Sequence, residues 1–297
     1  MLNKKTITEV FELKGSMVPL VTPLKEDESV DTAAVERLMK FHKQNGTSAV
    51  VLFGTCGEGP ALTDTAKENL LTSVTEHSQG LPVIAGIIET GTKKAAHAAS
   101  WLSQKPIEGF LVMGATFINA ATIDEHLNHF TAVASQTSLP IFLYNLPKKT
   151  GGQPIPLPVV QQLLERGVIN GIKESSGDLD YLQSLLKLRN DFPKFKVCNG
   201  ELRCAAEALR LGVDGLIMSV TNFDPASCNQ MLCLAKEGNF DKAREIQLSF
   251  ESILDQMPGN TSPAAKVKAV LGANGLCSAK CCGPVNALKS DYKIKMG

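Results

Sequence analysis

The 297-residue sequence has no excess of either charge and no long uninterrupted apolar stretch. Thirty lysines and arginines balance thirty aspartates and glutamates, so the chain lacks the basic character typical of proteins that bind nucleic acid or anionic membranes. No run of about 18 apolar residues could span a membrane, and the first residues lack the apolar core of a signal peptide. We therefore expect a cytoplasmic protein with neither a nucleic-acid nor a membrane partner.

Metal and cofactor signatures are also absent. None of the eight cysteines forms a C-x-x-C pair, and without a secretion signal we expect reduced thiols that pack as small apolar side chains. Cys277, Cys281 and Cys282 lie close together, but no histidine near them in sequence completes a familiar zinc ligand set. No G-x-G-x-x-G motif follows the first apolar run, so nothing indicates a dinucleotide. We expect no metal and no cofactor.

The chain instead contains a regular alternation of apolar runs and amphipathic segments. The amphipathic segments have helical spacing, and several begin with Asp, Thr or Pro and end with Gly, as helices do. Eight strand–helix units predict an α/β fold of the (β/α)8 or TIM barrel type, with a doubly wound open sheet as the alternative. The apolar runs are typical of strands covered on both faces and span residues 17–23, 48–54, 82–88, 109–115, 140–145, 168–173, 195–200 and 214–220.

The alternation stops after residue 238. Residues 239–257 and 262–275 both have helical spacing, with no strand pattern between them. We therefore predict two regions, a (β/α)8 barrel catalytic domain over residues 1–238 and a C-terminal helical extension over 239–297.

Lys173 ends the sixth apolar run, within the segment INGIKESSGD at 169–178. An ammonium group is costly to bury, so this lysine either reaches solvent from the strand end or has a function. In (β/α)8 enzymes the active site lies at the C-terminal ends of the strands. A lysine held there in a partly desolvated pocket could attack a ketone as the neutral amine and form a Schiff base, which withdraws electrons from the adjacent carbon.

Other strand ends supply matching chemistry. Tyr144, one of three tyrosines, ends the fifth run, where its phenol could relay a proton; the alternative is an amphipathic core residue. In the turn GTCGEG at 54–59, the Thr55 hydroxyl lies close to main-chain N–H groups and suits a substrate carboxylate. Ser219, at the end of the eighth run, is a further candidate for substrate binding.

Three segments together resemble a known family. GTCGEG at 54–59, YNLP with TG within 144–151, and GIKESSGDL at 171–179 are similar to the three signature segments of the dihydrodipicolinate synthase and N-acetylneuraminate lyase family. Their order and spacing fit across essentially the whole chain, including the helical tail.

The resemblance implies a class I aldolase on a (β/α)8 barrel, in which pyruvate forms a Schiff base with a lysine and is condensed with, or released from, a small aldehyde. It implies that Lys173 is the Schiff-base lysine and Tyr144 the proton-shuttling tyrosine. Thr55 corresponds to the hydroxyl residue that bonds this tyrosine and lies near the pyruvate carboxylate. The resemblance also implies a homotetramer built as a dimer of dimers.

Two positions depart from the family pattern. Cys56 replaces a second threonine, and because sulfur is a poor hydrogen-bond partner, we expect the turn, including Gly57, to bind the carboxylate through main-chain amides. Ile118 occupies the place of a tyrosine that in the family reaches across the dimer interface, and an aliphatic side chain relays no proton. These departures leave open a catalytically decayed homologue that binds 2-oxo acids. A nucleophilic Cys56 with a lowered pKa is a further alternative.

Substrate preference depends on two cations. Lys149 lies where synthases of the family carry an arginine for the carboxylate of the aldehyde, and Leu202 and Arg203 lie where sialate lyases carry an acidic pair. Both replacements favour a small anionic aldehyde, hence a dihydrodipicolinate synthase-like reaction, with Lys149 and Arg203 as binding residues. The alternative is a sugar-acid aldolase of the N-acetylneuraminate or 2-keto-3-deoxygluconate type.

Overall fold

A closed parallel barrel organises the chain, which the computed structural model describes over residues 11–117 and 122–288. Within these ranges, eight strands follow one another around the barrel in chain order, and β1 pairs with β8 to close it. The predicted (β/α)8 barrel is therefore confirmed, and the open sheet is excluded. The strands are β1 Gly15–Pro19, β2 Ala49–Leu52, β3 Val83–Ile87, β4 Gly109–Met113, β5 Ile141–Asn145, β6 Gly171–Glu174, β7 Lys196–Asn199 and β8 Gly215–Leu216.

Helices surround the barrel, and five of the ten in the described residues begin at a side-chain cap. Side-chain oxygens of Asp31, Thr63, Thr122, Asp178 and Asp224 each accept a hydrogen bond from a main-chain N–H of the first helical turn. The α-helices of the described residues are α1 Thr32–Gln44, α2 Asp64–Glu76, α3 Thr92–Leu102, α4 Ile123–Ala134, α5 Leu157–Glu165, α6 Leu179–Lys187, α7 Ala205–Leu211, α8 Pro225–Lys236, α9 Phe240–Asp255 and α10 Pro263–Ala273. None of these helices has the length and apolar character needed to cross a bilayer.

Alternation along each strand divides the core into two layers. On β5, Phe142 and Tyr144 point into the barrel, whereas Ile141 and Leu143 pack in the larger core between barrel and helices. The two faces alternate because successive side chains of a strand point to opposite sides. Both layers are apolar, which explains why the strands read as continuous apolar runs.

Several strands are shorter than their apolar runs. The run at 214–220 forms only the two-residue β8, because the chain turns into a 3₁₀ helix at Ser219–Asn222. The Asn222 amide nitrogen donates to the Pro19 and Ser219 carbonyls, and its oxygen accepts from the Val21 amide. These side-chain bonds replace the ladder that a longer β8 would form.

The C-terminal helices pack on the barrel layer. Helix α9 contacts α7 and α8, and α10 contacts the 3₁₀ helix after β8. On α9, the buried Gln247 accepts a hydrogen bond from the Ala206 amide at the start of α7, and Phe250 packs edge-on against Phe223. The two predicted tail helices are thus present, and the domain division at residue 238 stays a prediction.

Glycine is required where the barrel closes. Gly15 pairs with Gly215 across β1 and β8. A Cβ atom on Gly215 would overlap the main-chain oxygen of Gly15 and lie 2.7 Å from its nitrogen. Main-chain atoms on a neighbouring strand cannot move aside as a side chain can, so any larger residue at Gly215 must push the strands apart.

We expect Gly215→Ala to lower the free energy of unfolding by about 3 kcal/mol, measured by denaturant titration. Gly238→Ala is the matched control, because Gly238 has a positive φ but its Cβ would meet no atom within 4 Å. The control should lose only about 1 kcal/mol, the cost of a left-handed conformation. Equal losses in the two variants would contradict a steric requirement at the barrel closure.

Candidate active site

A cavity of about 840 Å³ opens at the C-terminal ends of the strands. It lies where (β/α)8 enzymes bind their substrates. Its wall includes side chains from the segments after β2, β5, β6, β7 and β8, and also from α10. Of the predicted site residues, those that line it are Thr55, Cys56, Tyr144, Lys149, Lys173, Arg203 and Ser219.

Lys173 and Tyr144 are in contact at the bottom of this cavity. They are paired neighbours in the register of β6 and β5, so both side chains point into the barrel. The Lys173 Nζ atom lies 4.2 Å from the centroid of the Tyr144 ring, and Lys173 is only 5% exposed. Within the described residues Lys173 forms no ion pair. The lysine therefore turns into the barrel and does not reach solvent.

Thr55 extends this pair to the turn after β2. Its Oγ1 atom lies 3.2 Å from the phenol oxygen of Tyr144, within hydrogen-bonding distance. The phenol of Tyr144 thus bonds the Thr55 hydroxyl, while the Lys173 amine lies over the face of the same ring. A phenol held beside the amine in this way can carry a proton to or from a species bound there.

Room for Lys173 comes from Gly200, which follows β7. A Cβ atom on Gly200 would lie 2.6 Å from Cε of Lys173 and would overlap Oγ of Ser175. The Gly200 amide also donates to the Glu174 carbonyl at 2.7 Å, which fixes the glycine beside the lysine. Sequence analysis missed this role, because only the three-dimensional packing shows which glycine faces the lysine.

Ser175 was also missed. It lines the cavity two residues after Lys173, and its buried hydroxyl oxygen has no hydrogen-bond partner among residues 11–117 and 122–288. A buried hydroxyl without a partner is unfavourable, so a polar group bound in the cavity would satisfy it. The paired serines of the segment KESSGD were the available signal.

The strand ends are fixed by a buried network on their outer face. The Asn145 amide donates to the Glu174 carboxylate at 2.5 Å, and the Asn145 oxygen accepts from the Ile155 amide at 2.9 Å. The other Glu174 oxygen accepts from the Ser176 amide. Burial raises the pKa of Glu174, and the hydrogen bonds from Ser176 and Asn145 oppose that rise. Tyr144 and Lys173 each directly precede a member of this network.

The turn after β2 presents free main-chain donors. The amides of Glu58 and Gly59 are used within the turn, on the carbonyls of Thr55 and Gly54. The amides of Thr55 and Cys56 have no partner in the described parts of the chain. Adjacent unpaired N–H groups beside a lysine suit an anionic oxygen.

Gly57 lies outside the cavity lining. Its carbonyl accepts a hydrogen bond from the Thr22 hydroxyl at 2.6 Å, and a Cβ at this position would lie 2.8 Å from the Leu20 carbonyl oxygen. Gly57 thus allows the turn to lie close to the segment after β1, and the predicted direct contact with substrate has no geometric support.

Behind the turn lies a buried ion pair that sequence analysis did not identify. The Glu58 carboxylate binds the ammonium group of Lys268 on α10, and Lys268 is fully buried. Removing one member of a buried pair leaves an uncompensated charge, at a cost of about 3–5 kcal/mol. The pair connects the turn to the C-terminal helices.

The two predicted substrate cations differ in their surroundings. Lys149 lines the cavity from the 3₁₀ helix Pro147–Lys149 and forms no ion pair within the described residues. Arg203 also lines the cavity, but its guanidinium binds Asp255 and lies 3.4 Å from Glu251, both on α9. Both predicted cations thus line the cavity, but only the charge of Arg203 is compensated by neighbouring carboxylates of the described residues.

Thiol chemistry has no support in this site. Burial raises the pKa of Cys56, an effect that nearby Lys173 only partly opposes, whereas a nucleophilic thiol requires a lowered pKa. Burial also raises the pKa of Cys277 to about 12 and that of Cys281 to about 11.

No cluster of three or more His, Cys, Asp or Glu suited to a metal occurs in the described ranges. Ile118 lies outside those ranges.

This fold and site define an enzyme of the (β/α)8 class with a buried lysine nucleophile candidate at the carboxyl ends of the strands. The chain belongs to the Dihydrodipicolinate synthetase family, whose sequence profile matches residues 12–297. The resemblance drawn from the three segments is confirmed, and with it the predicted class of carbon–carbon lyase or synthase.

Individual relatives agree with this assignment. A 4-hydroxy-tetrahydrodipicolinate synthase from Alkaliphilus oremlandii is 33% identical over 264 residues, which cover 88% of this chain and 89% of that protein. The enzyme of that name from Parabacteroides distasonis is 30% identical over 271 residues, covering 91% and 90%. The crystal structure of chloride-inhibited dihydrodipicolinate synthase from Acinetobacter baumannii complexed with pyruvate is 26% identical, with a TM-score of 0.84 and 94% of each chain covered.

The raised pKa of Cys56 predicts low thiol reactivity. At neutral pH a raised pKa leaves less thiolate, so iodoacetamide should modify the exposed Cys233 quickly and leave Cys56 unmodified in the folded protein. Peptide mass mapping over time measures both sites, and unfolding in denaturant should make them equally reactive. Modification of Cys56 before Cys233 would contradict the buried, protonated thiol.

Proposed function

We propose that the protein is a Schiff-base-forming class I aldolase that condenses pyruvate with, or releases it from, a small aldehyde. The observation that carries the proposal is the buried contact between Lys173 and Tyr144, extended to Thr55, at the bottom of the cavity. Relatives named 4-hydroxy-tetrahydrodipicolinate synthase and a homologous structure complexed with pyruvate support the substrate class. The reaction needs no cofactor, because the lysine itself supplies the electron-withdrawing group.

In the proposed reaction, the neutral amine of Lys173 attacks C2 of pyruvate, and the resulting carbinolamine loses water to give a protonated Schiff base. Transfer of a proton from C3 to the Tyr144 oxygen then gives an enamine. Its C3 attacks the aldehyde carbon and forms the new carbon–carbon bond, while the carbonyl π bond breaks and the aldehyde oxygen takes the proton back from Tyr144. Water finally hydrolyses the Schiff base and frees the lysine. Tyr144, with Thr55 as its hydrogen-bond partner, transfers protons to and from the oxygen at C2.

The carboxylate of pyruvate would bind at the turn after β2. The free amides of Thr55 and Cys56 can donate to its oxygens without help from a second hydroxyl, which accounts for a cysteine at position 56. Ser219 and Ser175 line the same cavity and offer further hydroxyl groups. Gly57 would act only by letting the turn approach the segment after β1.

The aldehyde would bind nearer the cavity mouth, beside Lys149. A carboxylate on the aldehyde gains a charge-assisted hydrogen bond there, whereas a neutral sugar would leave the cation unpaired. A small anionic aldehyde, such as aspartate semialdehyde, is therefore the proposed partner. Arg203 would contribute less than Lys149, because Asp255 and Glu251 already compensate its charge.

We further propose a cytoplasmic homotetramer, assembled as a dimer of dimers. The family resemblance supports this assembly, and sedimentation velocity measures it directly.

Borohydride reduction in the presence of pyruvate tests the mechanism. The reduced adduct adds the mass of pyruvate less water plus two hydrogens, and mass spectrometry should place it on Lys173. Lys173→Ala should give no adduct, and Lys149→Ala should give the same adduct as the wild type. An unmodified wild-type protein, or an adduct that persists in Lys173→Ala, would contradict the proposal. Trapping without turnover of any aldehyde would favour a decayed 2-oxo-acid-binding homologue.

Replacement of Lys149 tests the charge of the aldehyde. Lys149→Ala should raise KM for an anionic aldehyde about tenfold, equivalent to about 1.4 kcal/mol, because it removes a cation that no carboxylate of the described residues compensates. Steady-state kinetics with aspartate semialdehyde measure this change, and Lys236→Ala, an exposed lysine on α8, is the control. If the wild type prefers neutral sugar aldehydes, the proposal of an anionic aldehyde is wrong and the protein is a sugar-acid aldolase.

A further inference from the structure

The ion pair between Glu58 and Lys268 joins three distant segments. One Glu58 oxygen binds the ammonium group of Lys268, and the other accepts from the Cys282 amide at 2.8 Å. Lys268 also donates to the Lys280 carbonyl at 2.7 Å. The turn after β2, helix α10 and the segment after α10 are therefore connected through two side chains.

Glu58 holds a constrained position in the turn. Its φ of 56° lies in the left-handed region, which is unfavourable for a residue with a side chain. Its amide donates to the Thr55 carbonyl at 3.3 Å, and its own carbonyl accepts from Ala61. Because the conformation is unfavourable by itself, the surrounding contacts must maintain it, and those of the side chain add to the main-chain bonds. The side-chain contacts are with Lys268 and Cys282.

The pair lies behind one wall of the cavity. Thr55 and Cys56 line the cavity from the turn, and Lys266 and Val267 line it from α10, yet neither member of the pair is part of the lining. Lys268 therefore touches no group in the cavity and can act only through the residues it holds. A hydrophobic pair of similar volume would not require the turn to adopt one geometry, whereas the hydrogen-bonded ion pair does.

We propose that Lys268 is a positioning residue for the pyruvate half of the reaction. Through Glu58 it fixes the turn so that the Thr55 hydroxyl lies against Tyr144 and the unpaired amides of Thr55 and Cys56 stay in the cavity wall. The inference rests on the proposed aldolase function. It makes the C-terminal helical extension part of the pyruvate site, while Lys149 of the aldehyde site lies on a different loop, the 3₁₀ helix after β5.

Two variants that replace one or both charges of the pair with uncharged side chains separate an effect on positioning from an effect on stability. Lys268→Met leaves an uncompensated carboxylate and should lower the thermal midpoint, and the double variant Lys268→Met with Glu58→Gln should recover much of that loss because no charge remains unpaired. In the double variant KM for pyruvate should still be about tenfold above that of the wild type, with KM for the aldehyde changed less than about twofold. Leu185→Ala, a buried residue on α6, controls for destabilisation and should change neither KM.

Glu58→Asp provides a second test that keeps both charges. Its carboxylate is one methylene shorter, so it can reach Lys268 only if the turn moves, and KM for pyruvate should rise about threefold or more. The inference would be overturned if a folded Glu58→Asp variant or the double variant had the same KM for pyruvate as the wild type. An equal rise in the KM values for pyruvate and for the aldehyde would also overturn it. If the wild type itself traps no pyruvate on Lys173, the proposed function fails and positioning fails with it. If the wild type traps pyruvate on Lys173 but the variants keep the wild-type KM for pyruvate, only the positioning role of Lys268 fails.

Discussion

The parallel register of β5 and β6 is the constraint on which the site depends. It sets Tyr144 beside Lys173 and turns both side chains into the barrel. A shift of this register by one residue would turn both side chains out of the barrel. A lysine placed in this way must be accommodated, and Gly200 supplies the space. The network of Asn145 and Glu174 on the opposite face then fixes where the two strands end.

The sequence was sufficient for the parts of the structure that depend on local pattern. Continuous apolar runs predicted the eight strands, and Lys173 and Tyr144 were identified because a polar residue ends an otherwise apolar run. The predicted ends of the strands were less accurate, because an apolar run does not indicate where the chain leaves the sheet. At Ser219–Asn222 the turn depends on Asn222, whose side-chain amide donates to the Pro19 carbonyl of β1, far away in sequence.

Long-range electrostatics could not be inferred from sequence. Glu58 and Lys268 are 210 positions apart, and each looks like an ordinary surface charge within its own segment. Arg203 was predicted to bind substrate from the family resemblance, and its partner Asp255 could not be inferred because it lies 52 positions further along the chain, on α9. In both cases the extension supplies the opposite charge. The tail is therefore an electrostatic component of the cavity, with one pair buried behind its wall and another at its rim.

The shortness of β8 has a consequence for how the barrel is completed. With only two paired residues on each side of β8, the ladder there is weak, and side chains supply much of the closure. On one side the Asp214 carboxylate accepts from the Val197 amide at 2.8 Å, and on the other the Asn222 oxygen accepts from the Val21 amide at 2.9 Å across 201 positions of sequence. Contacts between segments so far apart in sequence slow folding. A change at Asn222 would therefore act at the same time on the pairing of the first and last strands of the ring and on the cavity wall to which the neighbouring Ser219 belongs.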